Sequence, residues 1–307
     1  MMRLGLIGPG ARIQGLITLS PDQQAVFLAA VSALTQRERD SQLFDIFAAN
    51  LHEFEELLRN VVASLQDNRI TDRDLATIHR EADRRVLNVL TAMRTFLDHW
   101  ETNLKRRHGK ASAEVARFLT CCSSQFDARF GYRFAYKLRN YAQHCGLPVG
   151  RITLTSRSRA FLLDPQGGPS RRMVAPSRDR DEAAFHVKRR ELLEQFDGWG
   201  PVAGDLRIGR SDINLVSQLR SAANGLSKVQ AVALAATSRA ARKHARSLRL
   251  LMGLVQQNHD VRRIPAVMTF RKKKQAGAIA ITLHHFPLAQ MRKLLPNDPY
   301  LAAIERA

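Results

Sequence analysis

Arg139-Asn140-Tyr141-Ala142-Gln143-His144 brings a guanidinium, a carboxamide and an imidazole into one short stretch of chain. Histidine is the side chain whose unperturbed pKa lets it both take and give a proton near neutrality. Arginine offers a charged fork to non-bridging phosphate oxygens, and asparagine can orient an imidazole or hold a phosphate oxygen. The set suits proton transfer beside a phosphoryl group with no metal and no cofactor. In the last turn of a helix the dipole favours a cationic imidazole. Asn140 and His144 stand one turn apart and share a face. Arg139 and His144 do not, because five residues on an ideal helix separate two directions by about 140°. Three routes bring them to one phosphate: the arginine reaches round, the last turn distorts before Gly146, or Arg139 acts on a site built by a second subunit. Against these stands a structural reading, a capping histidine beside a surface arginine.

The same loose spacing recurs at Arg73/His79, Arg94/His99, Arg180/His186 and Arg239/His244, and Arg73-Asp74 and Arg180-Asp181 even carry a polar second residue. Setting separates the Arg139 copy. It ends a helix, follows the aromatic run Phe130, Tyr132, Phe134, Tyr136, and is closed by Gly146 and Pro148. Other chemistry is weaker. His284-His285 would point to opposite faces of a strand and so chelate one metal poorly, and Gly5 to Gly10 lacks the strand–helix unit and downstream acid of a dinucleotide loop. No metal site is expected. Cys121, Cys122 and Cys145 have neither disulfide nor zinc spacing, which suits a reducing, cytoplasmic setting.

The elements that position the motif are helical. Ser20-Pro21 reads as an N-cap with proline at the first helical position, opening a helix over Gln23–Arg39. Leu43, Phe47, Phe54, Leu58, Val61 and Leu65 predict a second, ended by Asp67-Asn68. Thr71 to Asp74 caps a third, whose stripe Leu75, Ile78, Ala82, Val86, Val89, Met93, Phe96, Trp100, Leu104 is a packing or dimer seam ended by Gly109. Helices at about 112–128 and 133–145 follow, the last with Gly146 as C-terminal cap. The expectation for residues 1–150 is therefore a five-helix bundle.

After Gly150 the pattern changes. Ile152–Thr155 and Ala160–Leu163 read as a hairpin, 164–181 as a loop rich in Pro, Gly, Ser and Arg, and about 181–197 as a helix. Ser211-Asp212 caps a helical stretch towards Gln257, with a break at Asn224-Gly225. Ala266–Phe270 and Ala278–Phe286 form a second hairpin, and Pro287 starts a short final helix. The fold class is mainly α: a helical bundle followed by a basic, mostly helical α+β region with two short hairpins over 151–307.

Charge is the main compositional departure: 48 Lys and Arg against 28 Asp and Glu give +20 and a pI near 11.0. A polyanion is the natural partner. Residues 151–307 hold 28 basic and 12 acidic residues, against 20 and 16 in 1–150. Arg239, Arg242, Lys243, Arg246 and Arg249 recur at helical steps, opposite Leu234, Leu248, Leu251 and Leu254, and Arg271, Lys272, Lys273 and Lys274 sit at a hairpin tip. With few aromatic or amide side chains beside them, both clusters suit phosphate backbone better than base readout. The bland reading is a solvated face or attraction to anionic lipid. No stretch approaches the roughly 20 apolar residues of a membrane span, and no secretory leader is visible at the start.

Lys137 to Pro148 resembles the end of the catalytic helix of HEPN-superfamily ribonucleases, in which Arg, a polar residue and then His occur at this spacing. The resemblance covers the first half of the chain at most. It implies an all-α bundle, metal-independent RNA cleavage and a homodimer whose facing helices bring two motifs together, with Arg139, Asn140 and His144 as catalytic residues. It also implies a toxin or phage-defence context, in which a protein inhibitor is a further expected partner. Two other readings stay open: a non-catalytic nucleic-acid-binding or scaffold protein, and a helical interaction protein that dimerises through the 75–104 stripe.

Overall fold

A computed structural model describes residues 2–8, 13–66, 71–155, 182–209, 212–256, 264–272 and 279–305. The described residues are mainly helical, with nine helices and two small antiparallel sheets, as the sequence leads one to expect. The expected Ala160–Leu163 strand and the 164–181 loop lie outside the described residues. By contact density Met1–Gln42 joins Ala233–Ala307 in one compact unit, and Leu43–Val232 forms the other.

The first unit is built on a sheet in the order β2-β1-β6-β7, from β1 (Met2–Ile7), β2 (Ile13–Thr18), β6 (Ile264–Lys272) and β7 (Ile279–His285). The start of the chain, which carries no strand in the sequence reading, pairs with a strand near its end, Leu4 opposite Val267. That pairing is why the unit is discontinuous. The expected β6–β7 hairpin is present, with Phe270 opposite Ile281. One sheet face, with Leu4, Leu6 and Val267, packs on Phe27, Ala30 and Leu34 of α1 (Pro21–Gln66), on Ala241, Ala245, Leu248 and Met252 of α7 (Leu215–Gln256), and on Met291 of α8 (Leu288–Leu294) and Leu301 of α9 (Pro299–Glu305). Phe27 meets Phe286 edge to face at 5.1 Å.

α1 is one helix of 46 residues where the sequence suggests two. It opens as expected: the Ser20 hydroxyl accepts from the Gln23 amide at 3.2 Å, and the Gln23 side chain accepts from the Ser20 amide at 2.9 Å. The apolar stripe changes phase near Asp40, but no Gly or Pro interrupts the run. Asp40 is buried and accepts from Gln36 at 2.9 Å, so the phase shift is absorbed without a break.

In the second unit, α2 (Asp72–His108) carries the predicted Thr71–Asp74 capping box and ends at Gly109, whose φ of 89° suits glycine. Its stripe from Ala82 to Leu104 is core. α3 (Ala113–Ala128) is capped by Ser112, and α4 (Phe130–His144) begins directly after Arg129. The segment read as a helix over 181–197 is instead β4 (Glu182–Val187) followed by α5 (Arg189–Gln195). β4 pairs with β3 (Arg151–Thr155) and with β5 (Ile213–Asn214), and Phe185, fully buried, packs with its ring centre 5.4 Å from that of Phe54, the two rings tilted by 30°. Short α6 (Val202–Ile208) follows α5. Asn214, rather than the expected Asp212, caps α7 by accepting from the Ser217 amide at 3.0 Å, and Ser211 lies outside the described residues. α7 does not break at Asn224-Gly225: a Cβ on Gly225 would lie 2.6 Å from the Tyr132 ring, so glycine there permits close helix contact.

Candidate active site and basic helix face

α4 is fixed on several sides. Tyr132, Phe134, Ala135, Leu138 and Tyr141 are buried. Tyr141 stacks on Trp199 at 5.9 Å and donates its hydroxyl to Gln195 at 2.6 Å. Arg133 grips Asp205 through two nitrogens at 2.8 and 2.9 Å, and Lys137 donates to the Gly198 carbonyl at 3.1 Å. On another side Tyr136 lies under the Arg94 guanidinium, 4.9 Å from the ring centre, and bonds it through the hydroxyl.

The three motif residues occupy the last two turns of this anchored helix. His144 is exposed, Asn140 half-buried, and neither side chain has a hydrogen-bond or ionic partner among the described residues. Arg139 is half-buried, and its Nε is enclosed without a partner. Arg3 and Arg85 also have such an Nε, but Arg3 lies over Phe270 and Arg85 bonds the Glu53 carbonyl. For Arg139 no contact of this kind exists among the described residues. An enclosed donor without an acceptor is costly and calls for an explanation.

α4 stays regular to His144, with Cys145 as its C-cap. The terminal distortion that would turn Arg139 towards His144 is therefore absent. Helical steps put Asn140 and His144 on the face of Arg133 and Lys137, whereas Arg139 shares the face of Tyr132 and Tyr136. Gly146 does not take the left-handed conformation common at a helix C-cap, since among the described residues the positive-φ glycines are Gly109 and Gly200. The chain beyond α4 is instead held by α2. The Val149 amide donates to Asp83 Oδ1 at 2.8 Å, and the His79 Nε2 donates to the Val149 carbonyl at 2.5 Å. Asp83 is buried, its Oδ2 makes no hydrogen bond but lies 4.0 Å from the His79 Nδ1, and burial pushes its carboxyl up from the usual range. Sequence reasoning missed this clamp, because His79 and Val149 lie 70 residues apart and nothing local marks either.

The competing Arg/His pairs differ in their surroundings. His79 belongs to the clamp, Arg94 is taken by Asp98 and Tyr136, and His186 faces Thr153 at 3.3 Å, with burial and then Arg151 holding its imidazole below the usual range. Arg180 lies outside the described residues. Arg239 and His244 lack partners among the described residues but sit in mid-helix. His284 meets the Thr269 hydroxyl at 3.0 Å. Burial pushes the Cys121 thiol up and that of Cys122 up to about 12, so both stay protonated at neutral pH. Among the described residues no group of three His, Cys, Asp or Glu is placed to hold a metal, and no helix is long and apolar enough to cross a membrane. An open groove of about 410 Å³ between α1 and α2, lined by Leu43, Ile46, Asn50, Leu87, Asn88 and Thr91 among others, holds no titratable group.

In the first unit, Arg239, Arg242, Lys243 and Arg246 project from α7 as exposed side chains without a partner among the described residues. Their opposite side is Ala241, Ala245, Leu248 and Met252; Leu254, assigned to that side from sequence, is 42% exposed. Arg249 does not share the free ridge. It is ion-paired to Asp298 at 3.0 Å and lies over the Tyr300 ring at 4.5 Å, which neutralises its charge inside the fold. Arg271 and Lys272 close β6, while Lys273 and Lys274 lie outside the described residues. Comparison with protein-family models, with curated proteins and with solved structures gives no match.

Proposed function

We propose that the chain is a metal-independent endoribonuclease of HEPN type acting as a homodimer, with His144 and Asn140 of one subunit and Arg139 of the other meeting at one phosphodiester. The observation that carries this reading is that all three side chains lack partners among the described residues, on a helix otherwise anchored by contact after contact. Regular helix through His144 leaves a second subunit as the direct way to bring a guanidinium opposite the imidazole. A protein inhibitor, and a toxin or phage-defence setting, belong to the same proposal.

The chemistry follows from the side chains. Neutral His144 takes the proton of a 2′-hydroxyl, and O2′ bonds to phosphorus. The P–O5′ bond breaks, the departing O5′ takes a proton from water, and the products are a 2′,3′-cyclic phosphate and a 5′-hydroxyl. Arg139 neutralises the charge that grows on the non-bridging oxygens, and Asn140, one turn before His144 on the same face, donates its carboxamide N–H to a phosphate oxygen.

The test is incubation of wild type, His144→Ala and Arg139→Ala with single-stranded RNA in chelator. Wild type cleaves, and His144→Ala loses about 10²- to 10⁴-fold in rate, the usual worth of a general acid–base group, with an unchanged melting temperature because His144 supports nothing in the fold. Binding of RNA by wild type and His144→Ala alike with no cleavage by either would replace the enzyme with a nucleic-acid-binding module.

A further inference from the structure

We infer that the outward face of α7 from Arg239 to Leu254 is a contact surface for single-stranded RNA, gripping phosphates through Arg239, Arg242, Lys243 and Arg246 and receiving bases on Leu250 and Leu254. The choice of RNA rests on the ribonuclease reading above; the affinity for a phosphodiester chain rests on α7 alone.

Sign is the first argument. A cationic run that is merely a solvated helix face is laced with acids at three- and four-residue steps, and elsewhere this chain does that. Arg84 pairs with Glu81, Arg94 with Asp98, Lys105 with Glu101, Arg117 with Glu114, and Arg190 with Glu194. α7 contains no Asp or Glu in its 42 residues. Where an arginine of α7 has a structural task, an acid from another element meets it: Glu55 for Arg220 and Asp298 for Arg249. The four ridge cations have no such acid among the described residues. They repel one another along two turns, and a chain of phosphates would relieve that repulsion.

Shape is the second. Leu250 and Leu254, 76% and 42% exposed, continue the stripe of Arg239, Lys243 and Arg246 along the helix. Apolar side chains in line with phosphate-binding cations suit a single strand, whose bases are free to leave a stack and lie on a neighbouring surface. An anionic membrane fits less well. An interfacial helix needs a broad apolar side to bury in lipid, and that side of α7 is committed to Leu4, Phe27, Leu34 and Val267.

The experiment measures affinity of the full chain for a fluorescent 2′-O-methyl oligouridylate, which cannot be cleaved, across a range of KCl concentrations. For a single strand each phosphate contact contributes about 0.7 to the slope of log affinity against log salt. The quadruple variant Arg239→Gln, Arg242→Gln, Lys243→Gln, Arg246→Gln therefore loses well over one unit of slope and at least tenfold in affinity at low salt. Arg190→Gln, which removes a paired cation, changes neither, and circular dichroism melting confirms that the quadruple variant is folded. A quadruple variant with wild-type slope overturns the inference. So does ridge-dependent binding to phosphatidylserine vesicles without binding to the oligonucleotide. If His144→Ala abolishes cleavage while the slope ignores the ridge, this inference alone fails. If the slope responds but wild type never cleaves, the ribonuclease reading alone fails.

Discussion

Val149 is held at both ends of its peptide, its amide by Asp83 and its carbonyl by His79. The clamp uses a buried carboxyl whose pKa is raised, with burial as the main cause and the Val149 amide and His79 opposing it. Because the folded pKa lies above the unfolded one, the native state binds the proton more tightly. The stability this group gives is complete below the unfolded pKa and is lost as pH rises through the folded value. Asp83→Asn keeps an acceptor for the Val149 amide and removes the charge. Urea unfolding of both proteins across pH 3–8 is expected to show the variant gaining on wild type as pH rises from the acid end to neutrality. A difference independent of pH would mean that Asp83 does not carry the buried charge. At this level the sequence showed the composition of the motif but not its surroundings: Arg139, Asn140 and His144 stand at the end of α4 as expected, whereas which histidines are engaged elsewhere depends on partners such as Val149 and Thr153, far along the chain.

Among the elements, local rules worked where the signal was local. The Ser20 and Thr71 caps, the Gly109 terminus and the β6–β7 hairpin all follow from residues a few positions apart. They failed where a tertiary contact decides. Asn224-Gly225 looks like a break, yet α7 runs through it because Tyr132 presses against the glycine. In an open helix Gly→Ala would stabilise by about 1 kcal/mol. Here Gly225→Ala is expected to destabilise by roughly 1–3 kcal/mol, the cost of overpacking, measured by urea unfolding; a stabilised variant would show that the two helices are not in tight contact. Likewise the sequence of β4 carries little strand signal of its own, because Glu182–Val187 is short and its partner β3 lies beyond a long intervening segment. The ridge on α7 makes its own prediction. Like charges three and four residues apart cost a few tenths of a kcal/mol per pair, so Arg242→Gln raises the melting temperature at low ionic strength, and the gain fades at about 1 M salt, where the screening length is roughly 3 Å. An equal gain at both salt concentrations would mean that repulsion is not its source.

Across the whole chain, the net charge of +20 was visible at once, but its distribution by structural unit was not. The unit formed by residues 1–42 and 233–307 carries 18 basic and 6 acidic residues, a net of +12, which no division at residue 150 reveals. The reason is the pairing of β1 with β6, which joins the two ends of the chain and leaves α4 with its motif in the other unit. The proposed activity adds a second subunit, and subunit complementation follows from it. Arg139→Ala and His144→Ala should each be inactive as homodimers. In a mixed dimer isolated through two different affinity tags, one of the two composite sites retains both side chains. The expected result is single-stranded RNA cleavage in chelator at roughly half the wild-type rate per dimer, as two-fold symmetry dictates; a mixed dimer as inactive as its parents would contradict a site shared between subunits.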